Sequence, residues 1–357
     1  MNDLILQVPL LGMEWEAFLL LFITALAGGA FGAAIGALPA FIFTGFVVFL
    51  GEGLAILQRE VAAVPALDAE LAVGVTGVIG FGAVTGPHIA FAGGVAATAY
   101  AGKKYPEMTP EGWDYHFGKN ILYAFGTQRD ILAVGAVFGV LGMLINQVGA
   151  AIGTPTDTIA LSVVLTALIA RLVFDYPLVG RPAGGSLLDM SPFEREEQAT
   201  AADGGTVDDL YPNRLATEPW LPHQYKWAGV ATIGVVGGIL GGYIWIQTGS
   251  IFLGYAISAI SLLFLNLGVE KIPVTHHITL IGAVGAVVVA PVAGSVVALL
   301  AAGAFGIVAG LLGEVTQRIM YSHSGTHVDP PAMAIALAML VVVVLSVLGV
   351  LPNAGYL

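Results

Sequence analysis

Apolar residues in this chain run in unbroken blocks of about sixteen to twenty-four positions and do not alternate with polar ones. WEAFLLLFITALAGGAFGAAI at 15–35 gives way almost at once to LPAFIFTGFVVFL, and such blocks recur to the C-terminal end. A helix needs about 20 apolar residues to cross a bilayer, whereas a membrane strand would alternate with period two over about ten. The pattern predicts an all-α polytopic membrane protein with ten spans, at 15–35, 37–58, 86–101, 130–150, 155–176, 228–247, 250–269, 275–290, 293–316 and 330–351. Turn-like stretches separate them, among them Gly153-Thr154-Pro155, Thr248-Gly249-Ser250 and Pro291. The glycine-rich stretch LAVGVTGVIGFGA at 72–84 is too short for a span. It either lengthens the third helix or forms, over 72–87, a re-entrant arm.

Ten spans put both termini on one side and the long middle loop on the other. Lys103, Lys104, Lys119, Arg129, Arg181, Arg195, Arg214, Lys226, Lys271 and Arg318 then share the middle-loop side, and Arg59 alone lies opposite. Positive residues stay in the cytoplasm. The chain is therefore expected in the plasma membrane, with loops 102–129 and 177–227 cytoplasmic and both termini outside. Arg171, inside the fifth span, is expected to snorkel toward Asp175.

The chain also repeats itself. GGAFGAAIGALPAFIFTGF at 28–46 aligns without gaps with GGILGGYIWIQTGSIFLGY at 237–255. HIAFAGGVAATAYA at 88–101 aligns with HITLIGAVGAVVVA at 277–290, and GTPTDTIALSVVLTAL at 153–168 with GTHVDPPAMAIALAML at 325–340. Three blocks in one order define a first transmembrane repeat at 15–176, a linker at 177–227 and a second repeat at 228–351. Five spans per half is an odd number, so the halves cross in opposite senses, an inverted-topology architecture used by secondary transporters. Glycines four apart, Gly28-Gly32-Gly36 and Gly234-Gly238-Gly242, let helices approach closely and suggest that the first and sixth spans meet.

Composition narrows the chemistry. With 57% hydrophobic residues, 10% charged and a mean hydropathy of +0.89, the chain carries more apolar surface than a soluble domain can hide. A net charge of −12 with five lysines argues against nucleic acid and resembles proteins adapted to high salt. The absence of cysteine excludes disulfides and thiolate sites. No phosphate-binding glycine loop, zinc-hydrolase motif or nucleophile elbow is present, so neither an enzyme nor a cofactor is expected. The linker, with Tyr211, Trp220 and Tyr225, and loop 102–127, with Trp113, Tyr115 and His116, are expected to pack beneath the bundle.

Ionisable residues inside membrane segments are functional candidates. His88 follows Thr85-Gly86-Pro87, a break that would place a helix N-terminus within the bilayer; the plain alternative is a neutral imidazole bonded to a carbonyl. His277 is its repeat partner, though Glu270 and Lys271 draw it toward the cytoplasmic entrance. Asp157 and Asp329 each follow a Gly-Thr pair and either cap helices or act as paired gating carboxylates. Glu52 and Glu314 either line the path and carry a proton or reach the headgroups. His323, His327 and Asp329 could hold a metal only if a loop drew them together. The expected function is transport, as a carrier or channel, of a small polar solute or ion with proton coupling. The rival is a non-transporting membrane subunit or scaffold of a larger complex. Expected partners are the lipid bilayer and the solute, with a homo-oligomer left open.

Overall fold

The computed structural model describes residues 7–60, 74–199, 211 and 214–357. Positions 72–73 of the anticipated re-entrant stretch, and 200–210 and 212–213 of the linker, lie outside the described residues. The chain is all-α, with no β-strand among the described residues. Helices α1 (Trp15–Ile35), α2 (Ala37–Glu60) and α3 (Ala92–Lys104, entered through a π-helical turn Pro87–Phe91) are followed by α4 (Arg129–Ala151) and α5 (Thr158–Val173). Then come α6 (Trp227–Thr248), α7 (Phe252–Asn266), α8 (His276–Thr316) and α9 (Pro330–Val347). Six helical segments, those at 15–35, 37–59, 129–151, 227–248, 276–321 and 330–347, are long and apolar enough to cross a membrane.

Their surfaces fit that solvent. Leu19, Leu20 and Ile23 of α1, Phe43 and Phe46 of α2, and Val296 and Leu300 of α8 point outward. The faces turned inward carry glycine and alanine, among them Gly28, Gly29 and Gly32 of α1 and Gly237, Gly238 and Gly241 of α6. Large apolar groups outside and small ones between helices is the membrane arrangement, since lipid tails supply no hydrophobic force for association and close packing must do so.

Each predicted break has a backbone cause. Gly36 (φ 95°) turns α1 into α2 in a conformation L-residues rarely adopt. The expected break between spans at 275–290 and 293–316 is present as a kink: α8 is two helical arms joined at Gly294 (φ 76°, ψ 172°), whose backbone is not helical, three residues beyond Pro291. The stretch before α3 is not one long helix: a π-helical segment Gly74–Gly80 ends in a turn over 81–85, and Gly86 is extended.

The helices pair within each half and then across it. Helix α1 packs on α4 and α3, and α6 packs along α8. The glycine stripes therefore serve their own halves, and among the described residues α1 and α6 do not pack along each other as expected. A Cβ on Gly29 would fall on the carbonyl oxygen of Gly135 and the Cα of Gly139; one on Gly238 would fall on the oxygen of Ala302 and the Cα of Gly306. Gly32 abuts the backbone of Ala90 as Gly241 abuts that of Thr279. Between the halves, α2 packs on α7 and α5 on α9.

Loops gather at two ends. At one, Lys119 pairs with Glu218 (2.5 Å), Gln224 exchanges two hydrogen bonds with the backbone of Val274, and Arg318 donates to the Tyr225 carbonyl (2.8 Å). Tyr211 donates to the Gly102 carbonyl (2.8 Å), and Phe193 meets Tyr225 edge to face, so these linker aromatics pack beneath the helices. At the other end Arg59 donates to the Thr248 carbonyl (2.8 Å). Arg171 does not snorkel. Its side chain is fully buried and holds the second half, donating to Thr326 Oγ1 (2.7 Å) and the Thr326 carbonyl (2.9 Å), and also to the Leu178 carbonyl.

Candidate functional site

A cavity of about 940 Å³ lies among α2, α3, α5, α7, α8 and α9, bounded at one end by the loops at 112–115, 220–223 and 268–271. Asp157 and Asp329 both line it. Each caps a helix, as their sequence context allows. Asp157 Oδ1 accepts from the Ala160 amide (2.7 Å), and Asp329 Oδ2 from the Ala332 amide (2.8 Å). Each second oxygen has a further partner. Tyr356 O–H donates to Asp157 Oδ2 (2.7 Å), and His327 Nε2 lies 3.1 Å from Asp329 Oδ1. A carboxylate offers about four lone-pair sites, so capping leaves acceptor capacity at both positions.

A row of rings joins the two acids. From Tyr356 the ring centroids step to Phe252 (5.3 Å), Phe81 (5.1 Å) and Tyr255 (5.8 Å). They continue through Phe41 (5.9 Å) and Phe91 (6.0 Å) to His327 (5.8 Å). His276 sits against Phe41 at 4.7 Å. All of these rings line the cavity. The phenylalanines come from both halves, on α2, α7 and the turns around Gly86, so the wall exists only when the halves are assembled.

The Thr85–His88 break supports this wall from behind. Thr44 Oγ1 donates to the Thr85 carbonyl (2.5 Å), and Thr85 Oγ1 to the Ile79 carbonyl (2.9 Å). The Ile89 and Ala90 amides both close on the Gly86 carbonyl, which uses these first-turn donors internally. Pro87 lines the cavity; His88, buried, is not among its lining residues and its Nδ1 has no hydrogen-bond partner. His277 is likewise buried one residue from the lining residue His276.

The remaining candidates are engaged elsewhere. Glu52 accepts from Ser250 Oγ (2.6 Å) and Thr76 Oγ1 (3.2 Å), tying α2 to the α6–α7 turn. Glu314, buried, accepts from Arg318 Nε (2.6 Å) and Gln317 Nε2 (3.0 Å), and Arg318 donates onward to the Leu188 carbonyl (2.6 Å). His323 Nε2 lies 3.1 Å from the Leu187 carbonyl, away from His327 and Asp329. Among the described residues no group of three His, Asp or Glu is placed to hold a metal ion.

Sequence reasoning missed Phe41, Tyr255, His276, Tyr356 and Lys119. Only the His276-His277 doublet carried a usable signal; the others become neighbours only through tertiary packing. Lys119, in the loop at 105–128, also lines the cavity. Burial pushes its ammonium down to about 8, against the opposing pull of Glu218.

Apolar helices of membrane-spanning length, joined through small residues around an interhelical cavity, define a helical membrane protein. The chain belongs to a family of unknown function, DUF7973, whose model matches residues 10–357. Comparison with curated proteins and with solved structures finds no match.

Proposed function

We propose that the protein is a transport protein, a secondary carrier or channel, built from two five-span halves of opposite membrane sense. The observation that carries this reading is the cavity between the halves, lined by Asp157 and Asp329 from matching positions of the sequence repeat. Matching backbone approaches support the repeat. Gly29 on Gly135 and Gly139 corresponds to Gly238 on Ala302 and Gly306, and Gly32 on Ala90 to Gly241 on Thr279. The helix pairs that join the halves, α2 with α7 and α5 with α9, are the second with the seventh segment and the fifth with the tenth. A twofold axis in the membrane plane would relate the partners of each pair, and in such carriers the substrate path runs near the midplane at the repeat interface.

In this reading α3, α5, α7 and both arms of α8 cross the membrane, the stretch before Pro87 is re-entrant, and the end holding Lys119 and Arg318 is cytoplasmic. The working carboxylates are Asp157 and Asp329. Glu52 and Glu314 tie segments together, and His88 and His277 stand behind the cavity wall. A scaffold would have no need for an open interior with acidic groups on its wall.

The test is uptake into proteoliposomes of a panel of labelled inorganic ions, neutral solutes and organic cations, with and without a pH gradient. Flux above empty liposomes that falls at least tenfold in Asp157→Asn or Asp329→Asn supports the reading. No flux of any solute from protein that unfolds cooperatively overturns it.

A further inference from the structure

The character of the cavity wall indicates what it accepts. Between Asp157 and Asp329 the wall is a row of aromatic rings spaced 5.1–6.0 Å apart. Ring faces attract cations, by about 0.5–2 kcal/mol each and most strongly where water is excluded. The ionic balance has the same sign. Four carboxylates line the cavity, Asp114, Asp157, Glu270 and Asp329, against two lysines. One of those lysines, Lys119, is committed to Glu218 at 2.5 Å and lies 4.5 Å above the Tyr321 ring. An anion would meet a wall of aromatic rings and carboxylates, with no free lysine or arginine deep in it among the described residues.

A bare inorganic cation fits poorly as well. Hard cations take six or more oxygen ligands, and here aromatic rings stand between two carboxylates and supply few oxygens. An organic cation satisfies both parts of the wall, its charge near a carboxylate and its body against the rings. The volume, about 940 Å³, lies within the range of about 300–1,000 Å³ typical of small-molecule sites.

We propose that this cavity is a binding site for an organic cation with an apolar or aromatic body, held by Asp157 and Asp329 at the two ends of the aromatic row. As a statement about the transported substrate this rests on the transport reading, but binding is measurable without flux. The full chain in lipid nanodiscs is titrated calorimetrically with benzyltrimethylammonium, with benzenesulfonate and benzyl alcohol as anionic and neutral probes, and empty nanodiscs subtracted. Saturable binding of the cation alone is expected, weakened at least tenfold by Phe41→Leu and by Asp157→Asn or Asp329→Asn; asparagine retains the helix caps. The site is overturned if the cation fails to saturate protein that unfolds cooperatively, if benzenesulfonate binds equally well, or if all the variants bind like wild type. Binding without flux leaves the site standing and removes the transport reading. Flux of another solute without binding does the reverse.

Discussion

Gly29 and Gly139 pack so closely that a Cβ on Gly29 would lie 2.8 Å from the Cα of its neighbour, and Gly238 and Gly306 repeat the contact at 3.0 Å. Gly29→Val and Gly238→Val should each cost about 1–3 kcal/mol or more through overpacking. Gly53 in α2 has no atom within 4 Å of its would-be Cβ, so Gly53→Ala should be neutral or slightly stabilising. Thermal unfolding in detergent measures the contrast, and similar midpoints for all three would show that the stripes do not determine packing.

These contacts also show what a reader of the sequence can and cannot see. The helices and most breaks follow from apolar blocks, Gly36 and Gly249, because membrane helices satisfy their own backbone locally. The glycine stripes announced close packing but not its partner, since a small residue fits against any neighbour. Arg171 was misread for a related reason: the carbonyls and hydroxyl that receive it come from Leu178 and from Thr326 in the other half. Asp157 and Asp329 were legible as cap and candidate together, because a capping carboxylate has a second oxygen. The aromatic row was not, for it assembles residues as distant as Phe41 and Tyr356.

The Lys119–Glu218 pair should be costly to break from one side. Lys119→Met leaves the buried Glu218 with the His116 amide and, as its cation, Arg214 at 3.4 Å, and loss of one partner of a buried pair costs about 3–5 kcal/mol. Lys119→Met with Glu218→Gln, which keeps the acceptor for the His116 amide (3.0 Å), should recover more than half of that. Titration adds a second signature. The folded ammonium titrates near 8 against 10.5 ordinarily, so between those values the unfolded chain binds more protons and this group's contribution to stability rises with pH. Wild type should therefore gain on Lys119→Met from pH 8 to 10, and a flat or falling difference in Tm would contradict the assignment.

Arg318 fastens the linker to the helices. It neutralises Glu314, donates to the carbonyls of Leu188 and Tyr225, and stacks over the Trp227 ring at 4.2 Å. Arg318→Ala should cost about 3–5 kcal/mol by stranding a buried carboxylate. It should also speed trypsin cleavage after Arg195 in the folded protein. Unchanged cleavage rates would mean that other contacts hold the linker.

Membrane sidedness can be tested because the chain has no cysteine of its own. Ala151 and Ser186 are exposed, at the end of α4 and in the linker. With the basic end cytoplasmic, Ala151→Cys should react with a membrane-impermeant maleimide in intact cells, and Ser186→Cys only after permeabilisation. The reverse pattern would invert the orientation.

Capping and function separate cleanly at Asp157 and Asp329. Asparagine caps a helix about as well as aspartate, whereas alanine costs about 0.5–2 kcal/mol. If these residues serve only as caps, both Asn variants should match wild type in Tm and in every binding or flux assay. The second oxygens predict otherwise. Asp157→Asn should leave Tm within a few degrees of wild type yet lose at least tenfold in cation binding, and Asp329→Asn should do the same. Tyr356→Phe removes only the donor to Asp157 Oδ2. It should cost about 1 kcal/mol in stability while keeping the ring in its row, so binding should persist in Tyr356→Phe where it fails in Asp157→Asn. Equal loss in both would assign the effect to the hydrogen bond and not to the charge.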